Sequence, residues 1–288
     1  MRVAFLGLGR MGALMAGHVL SGGHDLVVWN RTPGKAAALV ERGAREAPSV
    51  AAAVSGADVV AMMLFGPDSV REVLAEVCAA APPGTLVIDS TTIGPEAARE
   101  FGATATAAGL RYVDAPVAGS VGPAADGTLG VLAGGTQGDV DEALPVLSLW
   151  GAPERVRRVG EVGTGSALKL CVNQSIGVLA AGLGESLRLG RELGLDRGLL
   201  LEVLGATGYG WFLGQKRAML DSGDFGGAVT FSVDLMAKDL RLAVEAAHGP
   251  LPVTAASASA AADAADEASG QDYAVMTAHI ADGGAVSP

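Results

Sequence analysis

The sequence predicts an α/β protein, with a doubly wound, mainly parallel sheet in its N-terminal part, an all-α C-terminal part, and one long helix joining the two. Three observations predict this. Short β-type runs alternate with helical patterns through the first half, the arrangement that builds parallel sheets with crossover helices. A glycine fingerprint follows the first of those runs at the extreme N-terminus. After about residue 160 the strand signals stop and only helical patterns remain.

In chain order the strand candidates are Arg2–Leu6, Asp25–Trp29, Asp58–Met63, Thr85–Ile88, Arg111–Val113 and Thr128–Leu132. Amphipathic or alanine-rich helices fall between them at Met11–Leu20, Gly34–Arg42, Asp68–Ala79 and Pro95–Ala107. Gly22-Gly23, Pro82-Pro83-Gly84 and Gly134-Gly135 supply turn chemistry at the joints. Gly165–Leu193 reads as one long helix ended by Gly194. Further helices are expected at Arg197–Leu204, Trp211–Leu220, Ser232–Ala247, Val253–Ala268 and Tyr273–Ile280. The alanine run from Ala255 to Ala268 is read as a helix whose small side chains permit close packing, since alanine is the best helix former.

At 288 residues the chain is long enough for two modest domains or one large one. It is 50% hydrophobic but only 4% aromatic and holds 42 glycines, the profile of a close-packed, alanine-rich soluble enzyme. A formal charge of −11 argues against nonspecific nucleic-acid binding, which relies on basic surface, though not against a local basic pocket for a phosphate. Cys78 and Cys171 lie in apolar runs and are expected as reduced core residues, with Cys171 packed behind Lys169. The apolar run at the N-terminus stops at a glycine-rich turn after about five residues, shorter than a signal h-region of about seven to fifteen. No stretch has the roughly 18 uninterrupted apolar residues of a membrane span. The reading expects a cytoplasmic protein with no membrane or nucleic-acid partner. His18, His24, His248 and His279 make no metal-ligand spacing, so no metal is expected.

Gly7-Leu8-Gly9-Arg10-Met11-Gly12 is a G-x-G-x-x-G between a predicted strand and a predicted helix, the context of a Rossmann-type dinucleotide site. Gly7 makes the tight turn, Gly9 lets backbone approach a pyrophosphate, and Gly12 lets helix meet strand. The helix start then offers N–H groups and its positive dipole end to the phosphates. The second strand ends at Trp29 and continues Asn30-Arg31-Thr32-Pro33-Gly34-Lys35. An NAD site usually places an acid there for the ribose 2′-hydroxyl. Here Asn30 is neutral, while Arg31, Thr32 and Lys35 suit a 2′-phosphate, so NADP(H) is expected over NAD(H). Two further loops at strand ends should reach the cofactor: Met63-Leu64-Phe65, and Asp89-Ser90-Thr91-Thr92-Ile93-Gly94-Pro95. The hydroxyls of the second serve a nicotinamide or substrate oxygen, or else cap the helix ahead of Pro95.

The long helix opens Gly163-Thr164-Gly165-Ser166-Ala167-Leu168-Lys169 and carries Asn173 one turn later. Residues i and i+4 share a face, so an ammonium and an amide project side by side from an apolar run. Many lysines in such positions snorkel to water. The nucleotide-binding pattern supplies a reason for keeping this one beside an amide.

Together with Asp114-Ala115-Pro116-Val117-Ala118-Gly119-Ser120, and Phe231 followed by Lys238-Asp239-Leu240, these segments resemble the β-hydroxyacid dehydrogenases. That family includes 3-hydroxyisobutyrate dehydrogenase, tartronate semialdehyde reductase and the glyoxylate/succinic semialdehyde reductases. Gly119-Ser120, Pro123-Ala124, Gly127 and Leu129 look closest to the last branch. The resemblance implies an NADP-binding domain over 1–162 and an all-helical substrate and dimerisation domain over 163–288, with the active site in the cleft between them. It implies Lys169 as acid/base, Asn173 orienting the substrate, and Thr92 at the cofactor–substrate junction. Lys238 would contact the cofactor. Asp239 and Phe231 would lie at the substrate, and Gly119 and Ser120 would offer N–H groups to its carboxylate. Ala118 replaces a serine hydroxyl of the relatives, which weakens the carboxylate grip or hands it to Ser120. The implied reaction interconverts a small carbonyl acid or semialdehyde and its hydroxyacid in a homodimer or homotetramer. Val28 to Ala36 is also similar to imine reductases, which makes an NADPH reductase of a non-acid substrate the alternative; a non-catalytic nucleotide-binding protein is the third reading.

Overall fold

The computed structural model describes residues 1–284. Its chain divides into two compact units, Met1–Lys169 and Leu170 onward. The first contains strands β1 (Arg2–Leu6), β2 (Asp25–Trp29), β3 (Arg45–Glu46), β4 (Val59–Met62) and β5 (Leu86–Asp89). It continues with β6 (Arg111–Asp114), β7 (Val117–Ala118), β8 (Gly130–Gly134) and β9 (Val156–Gly160). Its helices are α1 (Arg10–Ser21), α2 (Ala37–Glu41), α3 (Val50–Val54), α4 (Pro67–Ala80), α5 (Pro95–Ala107), α6 (Val121–Ala125) and α7 (Gln137–Leu147).

The strands form one sheet in the order β3-β2-β1-β4-β5-β6-β8-β7, with β9 on β8. Strands β1 to β6 pair in parallel, while β8 runs antiparallel to β6 and β7. The order reverses direction at β1, so a crevice opens beyond the carboxyl ends of β1 and β4, where ligands bind in such sheets. Both faces are covered, and alternate residues of β1 serve each. Val3 and Phe5 join Met15, Val19 and Trp150 on one side, and Ala4 and Leu6 join Val50, Val54, Val70 and Leu74 on the other. Trp150 buries its ring against Phe5 and donates its indole N–H to the Met15 carbonyl at 3.1 Å, pinning α1 to the sheet.

Three strands escape the sequence reading. β3 and β7 are two residues each, too short for an alternating pattern, and β9 is an edge strand carrying Arg157 and Arg158. The candidate over 128–132 begins at Gly130, and α3, α6 and α7 also went unread.

Helix α8 (Thr164–Glu192) runs from the first unit into the second. The second unit adds α9 (Arg197–Gly205), α10 (Gly210–Ser222), α11 (Val233–Ala246), α12 (Pro252–Ala268) and α13 (Ala274–Asp282). By length and composition α8 is apolar enough to cross a membrane, yet Leu183 and Leu187 sit in the core of a helical unit. The alanine-rich α12 buries Ala260, Ala261 and Ala264 in that core, the close packing expected of small side chains. A buried cation ties the loop before α11 to the turn before α13. Lys216 Nζ lies 2.6 Å from Thr230 Oγ1 and 2.8 Å from Asp272 Oδ2, over the Tyr273 ring.

Candidate active site

The chain leaves β1 into the glycine loop, and the three glycines differ. Gly7 has φ of 100°, and a Cβ there would lie 2.3 Å from the Met63 carbonyl oxygen. A Cβ on Gly12 would lie 2.1 Å from the Gly7 carbonyl oxygen. Around Gly9 nothing stands within 4 Å of that position. Protein packing therefore demands the first and third glycine, while the middle one faces open space. Gly9 is also the N-cap of α1, with no side-chain capping bond and no acid in the first turn. The helix start thus offers N–H groups and a positive dipole end with no capping side chain and no acid of its own first turn, which fits a pyrophosphate. Leu8 is buried, Met11 half-buried and Arg10 exposed.

The end of β2 closes on this loop. Gly7 donates its N–H to the Trp29 carbonyl at 2.9 Å, and Leu8 donates its N–H to Asn30 Oδ1 at 2.8 Å. Asn30 Nδ2 in turn donates to the Thr32 carbonyl at 2.8 Å. The Asn30 amide thus ties the glycine loop, through its oxygen, to the turn that follows β2, which its N–H group holds. Arg31, Thr32 and Lys35 are exposed beside it, with no carboxylate among Asn30, Arg31 and Thr32.

At the next strand ends, Met63 and Leu64 are half-buried and Phe65 is exposed. Leu64 donates its N–H to Thr91 Oγ1 at 3.0 Å, and Thr91 donates its own N–H to Asp89 Oδ1 at 2.9 Å. The Tyr112 hydroxyl donates to the other Asp89 oxygen at 2.9 Å. Burial pushes the Asp89 carboxyl up to about 6, partly opposed by the bonds from Thr91 and Tyr112. The N-cap of α5 is Gly94, so none of the hydroxyls of Ser90, Thr91 and Thr92 occupies that position; Thr92 is half-buried.

Past Asp114 the chain passes through β7, where Ala118 is half-buried, and turns at Gly119 with φ of 131°. A Cβ on Gly119 would lie 2.8 Å from Leu129 Cδ2, so only glycine fits the turn that places Ser120 at the N-cap of α6. Asp114 itself is turned to α8. Its Oδ1 accepts the Gly163 N–H at 2.8 Å and its Oδ2 accepts the Ser166 N–H at 2.7 Å.

Lys169 and Asn173 are both buried, one turn apart on α8. In the second unit Asn173 Nδ2 donates to Asp239 Oδ2 at 2.5 Å, and Lys238 Nζ lies 2.6 Å from Asp239 Oδ1. The structure therefore joins Asn173, Lys238 and Asp239, all buried, in one polar group. Phe231 is half-buried and meets the Tyr273 ring edge-on at 5.8 Å. Cys171 corrects the sequence reading. It is exposed, because two residues along a helix turn it about 200° away from Lys169 rather than behind it. Cys78 is half-buried against the core.

The sequence reading missed the roles of Asp89 and Asp114. The one available signal was an aspartate directly after each of two predicted strands, one opening a hydroxyl-rich loop and one in the motif preceding a glycine-opened helix.

A doubly wound sheet with a pyrophosphate-ready glycine loop, followed by a helical unit begun by a lysine-bearing helix, defines a dinucleotide-dependent oxidoreductase. Residues 2–165 match the NAD binding domain of 6-phosphogluconate dehydrogenase, and residues 163–280 match the NAD-binding domain of NADP-dependent 3-hydroxyisobutyrate dehydrogenase. A 3-hydroxyisobutyrate dehydrogenase of Pseudomonas aeruginosa is 37% identical over 254 residues, 84% of each chain. An NAD-dependent L-serine dehydrogenase of the same organism is 36% identical over 86% of this chain and 85% of its own. The solved 3-hydroxyisobutyrate dehydrogenase of Mycobacterium tuberculosis with L-serine superposes with a TM-score of 0.86 at 32% identity, covering 97% of this chain and 98% of that one. The chain belongs to the β-hydroxyacid dehydrogenase family, that of 3-hydroxyisobutyrate dehydrogenase, and is an NAD(P)-dependent dehydrogenase acting on CH–OH groups.

Proposed function

We propose that this protein is an NADPH-linked oxidoreductase interconverting a small carbonyl acid or semialdehyde and its hydroxyacid, with Lys169 as acid/base. The observation that carries this reading is the buried Lys169–Asn173 pair on α8, following a first unit with a phosphate-ready glycine loop. A nicotinamide cofactor supplies hydride transfer when bound. Gly7, Gly9 and Gly12, with the N–H groups of Arg10 and Met11, hold its pyrophosphate. Arg31, Thr32 and Lys35 receive the 2′-phosphate, and Met63 to Phe65, Thr92 and Lys238 complete the cofactor contacts. In reduction Lys169 gives a proton to the substrate oxygen, and in oxidation it takes one. Asp239 holds the Asn173 amide N–H, which leaves the Asn173 carbonyl oxygen for a hydroxyl donor. Gly119, Ser120, Ala118 and Phe231 line the substrate, with Ser120 supplying the hydroxyl that Ala118 lacks.

Lys169 is tested by NADPH- and NADP⁺-linked assay of glyoxylate, succinic semialdehyde, tartronate semialdehyde, 3-hydroxyisobutyrate, L-serine and cyclic imines. Lys169→Ala is expected to lower kcat at least about 10²-fold on the best of these, with cofactor affinity little changed. Lys169→Arg is expected not to rescue, since a guanidinium stays protonated and is wider. Near-native turnover of Lys169→Ala refutes the assignment and moves the imine-reductase reading ahead.

Cofactor choice follows from the end of β2. Arg31→Ala is expected to weaken NADPH about 10- to 100-fold, the loss of a charge-assisted bond of about 1.5–3 kcal/mol, with little effect on NADH. Equal loss for both removes Arg31 from the 2′-phosphate. We also propose a homodimer or homotetramer assembled through the second unit, where Leu189, Leu193, Leu195, Leu199, Val203 and Trp211 are each more than half exposed. A particle of 28.7 kDa in light scattering at micromolar concentration rules this out.

A further inference from the structure

We propose that Asp114 is a positioning residue for Lys169, setting the place of the proton-transferring ammonium by clamping the first turn of α8 to the sheet. This rests on the assignment of Lys169 as acid/base.

Asp114 ends β6 and is fully buried. Its two oxygens take the N–H groups of Gly163 and Ser166, which the start of a helix otherwise leaves without partners. One carboxylate thus spans the first turn, and its charge meets the positive end of the helix. Two glycines make the contact possible. A Cβ on Gly134 would lie 2.4 Å from Asp114 Oδ1, and one on Gly165 would lie 2.2 Å from the Leu132 carbonyl oxygen and 3.1 Å from Asp114 Oδ2. The helix start is therefore pressed onto the ends of β6 and β8 with no side chain between.

Lys169 comes three residues after Ser166, about 4.5 Å further along the axis, so a shift of the clamped turn is handed directly to it. Burial raises the Asp114 carboxyl to about 6, opposed by the N–H groups of Gly163 and Ser166, and at neutral pH it is mainly ionised. An ionised carboxylate with both oxygens engaged by backbone is committed to the helix. Asp114 therefore acts on the reaction through Lys169 and is not itself a proton carrier.

The test is a double-mutant cycle of Asp114→Asn with Lys169→Ala, with kcat expressed per cofactor-binding site. Asparagine keeps the shape but turns one acceptor into a donor facing a backbone N–H. Asp114→Asn alone is expected to lower kcat at least about 10-fold, since misplacement of about 1 Å costs up to about 10²-fold. KM for the cofactor should stay within about 2-fold, as the glycine loop is untouched. In the Lys169→Ala background the same change should lower the residual rate no further. If Asp114→Asn does not fold, Gly165→Ala, whose methyl would press on the Leu132 carbonyl and on Asp114, disturbs the same turn while keeping the carboxylate charge and is expected to give the same pattern. Near-native turnover of Lys169→Ala refutes the acid/base assignment and this proposal with it. A dead Lys169→Ala with unchanged kcat in Asp114→Asn, or with an equal loss in both backgrounds, refutes the positioning role alone.

Discussion

Gly9→Ala separates the ligand from the fold more sharply than any other change in the glycine loop. Gly7 and Gly12 are required by the protein itself: a methyl at either would lie within 2.3 Å of a backbone oxygen. Alanine at Gly12 has to push apart the turn and α1, a steric cost of about 1–3 kcal/mol. Gly9 has φ of −70° and ψ of −171°, values any residue adopts, and its methyl would meet nothing within 4 Å. Alanine there leaves the fold intact and, by restricting the unfolded chain, is expected to add about 0.4–1 kcal/mol of stability. The same methyl occupies the space in which a pyrophosphate comes against the backbone. Displacing one charge-assisted bond of about 1.5–3 kcal/mol weakens the cofactor about 10- to 100-fold. Thermal unfolding without ligand and NADPH titration by fluorescence read the two effects separately. Gly9→Ala should keep or raise Tm and lose affinity, whereas Gly12→Ala should lose Tm. A Gly9→Ala protein that binds NADPH as the native chain does would show that the phosphates do not pass this residue.

The buried carboxyl of Asp89 gives a pH signature. Its folded value of about 6 lies above the unfolded 3.8, so the native state binds the extra proton, and the stability this group adds at low pH is lost as pH rises through about 6. Relative to Asp89→Asn, which cannot titrate, the native chain should lose up to about 3 kcal/mol between pH 4 and pH 7.5, read by denaturant unfolding at each pH. A difference that does not change with pH would place Asp89 in contact with water.

The sequence by itself determined what depends on neighbours in the chain. The alternation of strands and helices, the bounds of β1, β2 and α5, and the alanine helix α12 all follow from local periodicity and turn chemistry. The glycine fingerprint and the i, i+4 placement of Lys169 and Asn173 are equally local. Tertiary structure alone decided what depends on residues distant in the chain. Asn30 reaches back to Leu8, Asp114 reaches forward to Gly163 and Ser166, and Asp239 meets Asn173, each through a side chain whose partner no spacing rule relates to it. It also decided that Cys171 faces outward, since an apolar run does not by itself say which side of a helix is covered. The physical reason is that backbone periodicity is fixed within a few residues. The partner of a buried polar group is fixed only when strands and helices far apart in sequence close around it, and leaving that group unpaired costs about 1–3 kcal/mol.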